Sequence, residues 1–396
     1  MSRPRDVRAI ALARLISEMG DEIALIALLF RVKSSGAAAI SAIFALYALS
    51  RIVLSPFSGT IVDRYPSRRL ITTVSLIQTV TAVCLALSDG LLLFVLVFVL
   101  AVGASIIGPA WQSLVPTLVP AEDLSRTYAF IQAHRSMAIV LGAGLGGYLV
   151  EVFGSSVSLM IDAATFIVVA FFGATLVNER PRGLSRVSGR ESIRGFRSIL
   201  STPVLLASII MLAAFNMSAG VNEVLGIFLV TDVLDGSASH YGLIMSSLGA
   251  SMVVSGFVLS RVTIRRPDTQ MLVLSALTSA LGMLAYGLSP SVWFAMIAFA
   301  INGAGLTGLH AFATPLIVRH TSEDERGRVF AASSSVTTGG TLISTGIAGS
   351  VGQVLPIRTV ISGAAIACAV CVALAGRSIS RAGRSISRAD RSTRSI

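Results

Sequence analysis

Apolar and polar positions alternate on a long scale in this chain. Apolar runs of about 20 residues, the length an α-helix needs to cross the hydrocarbon core of a bilayer, are separated by short polar connections. Twelve runs are predicted, at 9–31, 37–59, 70–88, 91–112, 126–150, 156–177, 203–230, 240–260, 270–288, 291–316, 329–352 and 357–375. One connection is longer. From 178 to 202 the sequence turns to Arg, Ser, Gly and Pro, with Arg180, Arg182, Arg186, Arg190, Arg194 and Arg197. Its second part, Ser192 to Leu200, reads either as a short interfacial helix with a basic face or as a flexible linker. This pattern predicts an all-α membrane protein. Two pseudo-symmetric six-helix bundles, 1–177 and 203–376, are joined by a basic cytoplasmic linker at 178–202. Residues 377–396 repeat Arg-Ser-Ile-Ser-Arg-Ala and are expected to form a disordered basic tail.

Composition supports the membrane reading. Of 396 residues 54% are hydrophobic and 13% charged, against about 25% charged in a soluble domain. Mean hydropathy is +0.81. The net charge of +11 suggests nucleic acid only until the arginines are placed. With the N-terminus in the cytoplasm, Arg3, Arg5, Arg8, the hairpins holding Arg64, Arg68 and Arg69 and holding Arg261, Arg265 and Arg266, Arg126, the middle linker, Arg319, Arg326, Arg328 and the tail all lie on that side. The opposite side receives only Arg31, Lys33 and Arg358. This asymmetry obeys the positive-inside rule. It implies a plasma (inner) membrane protein with both termini cytoplasmic and no nucleic-acid partner. Trp111 and Trp293 fall near predicted helix ends, where aromatic belts sit. The first run holds Arg14, Glu18, Asp21 and Glu22, so it is a retained helix rather than a signal peptide.

Chemistry of other classes is not indicated. Cys84, Cys368 and Cys371 lie in apolar runs, and the CxxC spacing of the last two reads as packed thiols rather than a metal site. The four histidines are scattered, and there is no phosphate-binding Gly-Lys-Ser/Thr loop. The chain is therefore expected not to be an enzyme and to need no cofactor or metal.

One hairpin carries a distinctive cluster. Gly59, Asp63, Arg64, Arg68 and Arg69 lie between the second and third runs, and Gly256, Arg261, Arg265 and Arg266 repeat the spacing in the second half with Ser260 in place of the aspartate. A duplicated chain with one intact and one decayed copy explains both. The first copy resembles the signature loop of the major facilitator superfamily. Arg14 to Asp21, Gly108-Pro109-Ala110 and Glu325 to Phe330 further resemble its macrolide-efflux and siderophore-exporter-like branch. The resemblance implies alternating access between two bundles. It also implies that the signature loop holds a cytoplasmic gate closed, with Arg126 and Arg328 as partners of Asp63. Gly142-Ala-Gly144-Leu-Gly146-Gly147 resembles the antiporter glycine motif, with Ala143 where proline is usual. The predicted fourth helix lacks the arginine typical of proton-coupled drug antiporters.

Ionisable groups at membrane depth are costly and must face an interior, a cavity or a partner. The candidates for ion pairs are Arg14, Arg51, Arg135 and Asp162; those for coupling and substrate charge are Glu18, Asp21, Glu22 and Glu223, with Asn216 on the same helix face as Glu223. Arg14 is the natural partner of Glu18, one turn away. Three bases face five acids, so two acids are left over, and a surplus carboxylate at this depth takes up a proton unless a cation arrives. Asp21, with Glu223 across a central cavity, is the expected coupling pair. The expected function is proton-coupled efflux of an amphipathic small molecule by a monomer in the lipid bilayer. Import or exchange of a polar metabolite, and a non-transporting sensor or assembly partner, remain the alternatives.

Overall fold

The computed structural model describes residues 4–118, 124–175, 190–262 and 267–393. Among them the chain is a succession of helices: α1 (Pro4–Val32), α2 (Ala37–Arg64), α3 (Ser67–Ala86), α4 (Leu91–Leu118), α5 (Leu124–Thr175), α6 (Arg190–Ser201), α7 (Pro203–Phe228), α8 (Ala238–Arg261), α9 (Asp268–Gly287), α10 (Val292–Arg319), α11 (Glu323–Val351) and α12 (Ile357–Thr393). Local chemistry sets the breaks. Tyr65 is extended because Pro66 follows it, and α3 begins directly afterwards. Pro203 opens α7, where its missing N–H costs nothing. The Ser291 hydroxyl caps α10 by accepting the Phe294 N–H at 3.3 Å.

α5 holds two predicted spans. Gly154, with φ 81° and ψ 168°, breaks it into two legs in a conformation open to glycine. Nine stretches among the described residues are long and apolar enough to span a bilayer, and one of them, Ser136–Thr175, contains both legs of α5. α1 and α11 fall short for sequence reasons: α1 carries four charged groups from Arg14 to Glu22, and α11 is rich in Ser and Thr. Added to the others, they give the twelve predicted spans. α6 is the short helix expected in the linker; residues 176–189, which hold the rest of it, lie outside the described residues.

Two expectations change. The helix of α12 runs on to Thr393 rather than ending near 376 in a disordered tail. The tail holds no proline, and Arg and Ala favour helix. Trp111 is buried at 3% exposure and packs with Val62, Leu70, Ile71, Ala110 and Val169, so it is a core residue; Trp293, 64% exposed, does stand at a helix end. Cys368 is buried, whereas Cys84 and Cys371 are exposed.

The helices form two compact units. One comprises α1–α5 and the first half of α8; the other comprises α6, α7, the second half of α8 and α9–α12. In the first, α1 packs along α5, α3 packs on α5 and α4, and α2 packs on α4. In the second, α10 packs on α9, and α7 packs on α11 and α12. The core of the second unit includes Leu205, Met211, Leu272, Leu309, Leu316, Val329 and Val372.

Candidate functional site

The acid-bearing face of α1 is the centre of the first unit's polarity. Arg14 donates from Nη2 to Glu18 Oε1 at 2.8 Å, the expected one-turn ion pair. Asp21 lies one turn further on and is exposed; Glu22 beside it is half-buried. Gly20, on the buried side, faces the second leg of α5. A Cβ there would stand 2.6 Å from Asp162 Oδ1 and closer still to the Thr165 hydroxyl, so only glycine admits these groups.

Asp162 is 1% exposed. The Thr165 hydroxyl stands 2.8 Å from its main-chain carbonyl and 3.3 Å from its Oδ1, a donor to either. It lies in the field of Asp21, not of an arginine among the described side chains. The sequence reading placed Asp162 among ion-pair partners; the fold sets it beside another acid. Tyr47 of α2 sits in the field of Asp21, Asp162, Glu22 and Arg51. Arg51 itself is exposed. At about 1.5 Å per residue, Asp162 is about 12 Å beyond Gly154, and Asp21 about 16 Å short of the end of α1. Both therefore lie near the middle of a hydrocarbon layer about 30 Å thick. Two neighbouring carboxylates there are costly unless a proton or a cation joins them.

The glycine stripe positions this site. Gly142 and Gly146 share one face and meet α1, where a Cβ would stand 2.8 Å from Glu22 Cβ and 3.0 Å from Ile23 Cα respectively. Gly144 and Gly147 turn to α8, the first opposite Ser246 and the second against the Ala238 carbonyl and Gly242. Small residues thus let α5 approach two helices at once. The Ser246 hydroxyl donates to the Val140 carbonyl at 2.6 Å, and the Ser239 N–H donates to Glu151 at 2.9 Å. Lys33 pairs with Asp232 just ahead of α8. At Ala143 the helix continues without a break; the break falls at Gly154 instead.

The second unit is polar in another way. Asn216 donates from Nδ2 to the Leu212 carbonyl at 2.8 Å, and Glu223 on the same face is half-buried. Gly220 between them packs on Ser344 and Thr341 of α11. Sequence reasoning predicted this span but named none of its hydroxyls as site residues, although the run from Ser333 to Thr345 is visibly rich in them. Thr337, Thr341 and Ser344 donate to main-chain carbonyls of their own helix at 3.2, 3.1 and 2.9 Å. Their protons engaged, the half-buried Thr337 and Thr341 keep lone pairs that suit donors, whereas Ser344 is buried against Gly220. Asn302 of α10, 2% exposed, donates to the Ser279 carbonyl at 2.9 Å and hydroxyl at 3.1 Å.

At the signature hairpin, Arg64, Arg68 and Arg69 are exposed around the turn from α2 to α3. The side chains of Gly59, Asp63, Arg126 and Arg135 lie outside the described residues, so the gate partners inferred for Asp63 are not placed. In the second copy, Arg261 stacks over the Phe257 ring at 3.9 Å, and Ser260 donates to the Phe257 carbonyl at 2.7 Å. Arg265 and Arg266 lie outside the described residues. Among the described residues, no group of three or more His, Cys, Asp or Glu is placed to hold a metal.

Comparison with known proteins converges on one family. The Major Facilitator Superfamily model matches residues 10–266 and 217–394. The MFS-type transporter YfiS of Bacillus subtilis (strain 168) is 24% identical over 350 residues, covering 82% of each chain. Macrolide efflux protein A of Streptococcus pyogenes is 21% identical over 317 residues, covering 77% of this chain and 78% of the relative. Among solved structures, a POT family transporter in complex with 5-aminolevulinic acid superposes with a TM-score of 0.75 at 12% identity, covering 94% of this chain and 95% of that one. Twelve spans in two units, the glycine stripe and the signature hairpin agree with these matches: the chain belongs to the Major Facilitator Superfamily and is a multi-pass membrane transporter of small molecules.

Proposed function

We propose that this transporter exports an amphipathic, hydrogen-bond-donating small molecule, a cation above all, in exchange for protons by alternating access. The observation that carries the reading is buried Asp162 lying in the field of exposed Asp21 near mid-membrane. A proton taken up by one of the two carboxylates removes a costly charge, and an arriving cation does the same from the exposed side, so proton and substrate compete. The acceptor-presenting hydroxyls of α11 and the carboxylate of Glu223 complement a donor-bearing substrate. Likeness to macrolide efflux protein A supports the outward direction.

Import or exchange of a polar metabolite draws support from one observation, the hydroxyls of α11. Both readings place the termini in the cytoplasm. A cysteine at Ser35, in the exposed turn after α1, is then labelled by an impermeant thiol reagent in intact cells, whereas one at Ser387 is protected.

A compound screen in everted vesicles tests the proposal. An exported compound collapses a preset pH gradient in the wild type and leaves it intact in Asp21→Asn vesicles. A substrate moved without dissipating the gradient overturns proton exchange.

A further inference from the structure

Transport leaves α6 unexplained. It is a twelve-residue helix in the linker that packs on α11 and α7 of the second unit. Ile199 is buried at 4% exposure in the cluster with Leu205, Leu316 and Val329. The Ser198 hydroxyl donates to Glu325 of α11 at 3.1 Å. These two contacts fix the rotation of the helix.

The remaining faces then fall into stripes. At about 100° per residue, Ile193, Phe196 and Leu200 share an apolar stripe beside that of Ile199. Phe196 is 38% and Leu200 69% exposed. Arg190, Arg194 and Arg197 recur at spacings of four and three and share the next stripe round. Of these, the described side chain, Arg197, is exposed. Glu191, the one acid of α6, falls by register opposite the apolar stripe and about a quarter turn round from the arginines.

We propose that α6 is an interfacial anchor for anionic lipid. Its Ile193–Phe196–Leu200 stripe enters the boundary between headgroups and acyl chains, and its arginine stripe engages the phosphates of anionic headgroups. Charge complementarity selects this occupant. A helix with adjoining apolar and basic stripes, rooted by Ile199 in a membrane-spanning bundle, has the pattern of an in-plane interfacial helix. Arginine recognises phosphate oxygens in bidentate fashion. The basic tail of the same chain, with arginines at 377, 381, 384, 388, 391 and 394, repels this stripe. A second copy would bring a like-charged stripe against it.

A nitroxide at Leu200→Cys, in a full-length chain with Cys84, Cys368 and Cys371 replaced, tests the depth. In nanodiscs rich in phosphatidylglycerol, collisions with oxygen are expected to exceed those with a water-soluble nickel chelate. Pure phosphatidylcholine, or the triple change Arg190→Gln, Arg194→Gln, Arg197→Gln in anionic discs, reverses that ratio. The native-cysteine chain bearing Phe196→Trp supplies a second measurement. Brominated phosphatidylglycerol is expected to quench the added tryptophan more than brominated phosphatidylcholine does. Water-like accessibility in both lipids overturns the proposal. So does equal immersion in both with no response to the triple change, because the arginines then select nothing. Dipolar broadening between labels assigns the face to a second copy and overturns it as well.

Discussion

The two units carry their polarity at membrane depth differently. In the first, ionisable groups meet: Arg14 with Glu18 on α1, and Asp21 alongside Asp162 of α5. In the second, neutral groups do most of the work. Asn302 binds Ser279, Asn216 binds its own helix, and the α11 hydroxyls bind theirs, with Glu223 the acid on the substrate-candidate face. The difference matters because neutral hydrogen bonds hold helices together at all pH values, whereas a carboxylate pair changes state when a proton or cation arrives. Under the proposed function, the coupling chemistry is concentrated in the first unit.

The strongest way to break this contrast is Asp21→Asn. Gradient-driven transport is expected to be abolished, while downhill exchange of substrate persists; full gradient-driven transport in vesicles would place coupling elsewhere. The two signature hairpins carry the same asymmetry. Asp63→Asn is expected to lower the transport rate about tenfold, since about 1.4 kcal/mol of gate stability is a decade. Ser260→Ala, losing a hydroxyl bonded within its own turn, is expected to stay near wild type. Equal rates in both variants would make the first loop a topogenic signal only.

Gly147→Ala places a methyl against the Ala238 carbonyl and Gly242 of α8. An overpacking cost of about 1–3 kcal/mol is expected, read as a lowered thermal midpoint of the purified protein, with Gly363→Ala, whose methyl meets open space, as the unaffected control. The smallest effect is expected for Asn302→Ala. Losing its bonds to Ser279 costs about 0.6–1.7 kcal/mol at membrane depth. The second unit loses stability, but the ratio of protons to substrate stays unchanged. A shifted ratio would show that the neutral network also takes part in coupling.

Much of this was legible in one dimension. A run of about 20 apolar residues has few alternatives to spanning a membrane, because its backbone polar groups must be satisfied within the segment. Helix number, the linker, the signature hairpin and the Arg14–Glu18 pair therefore follow from spacing alone. The tail was misjudged because composition says what a segment does not bury, not whether its backbone stays helical. Trp111 was misjudged because nearness to a helix end does not say what packs around it.

What the sequence could not decide is which residues on different helices meet. Asp162 reads as a lone acid awaiting an arginine, and its partner became visible only when Gly20 brought α1 against the second leg of α5. The glycine stripe announced close packing but not that alternate glycines serve α1 and α8. The hydroxyls of α11 were visible as letters, yet their donors and acceptors are sorted only by the helix geometry that points each proton at a carbonyl a turn away. Spanning a bilayer is a property of each segment by itself, whereas a pair of carboxylates belongs to two segments and depends on how their backbones approach.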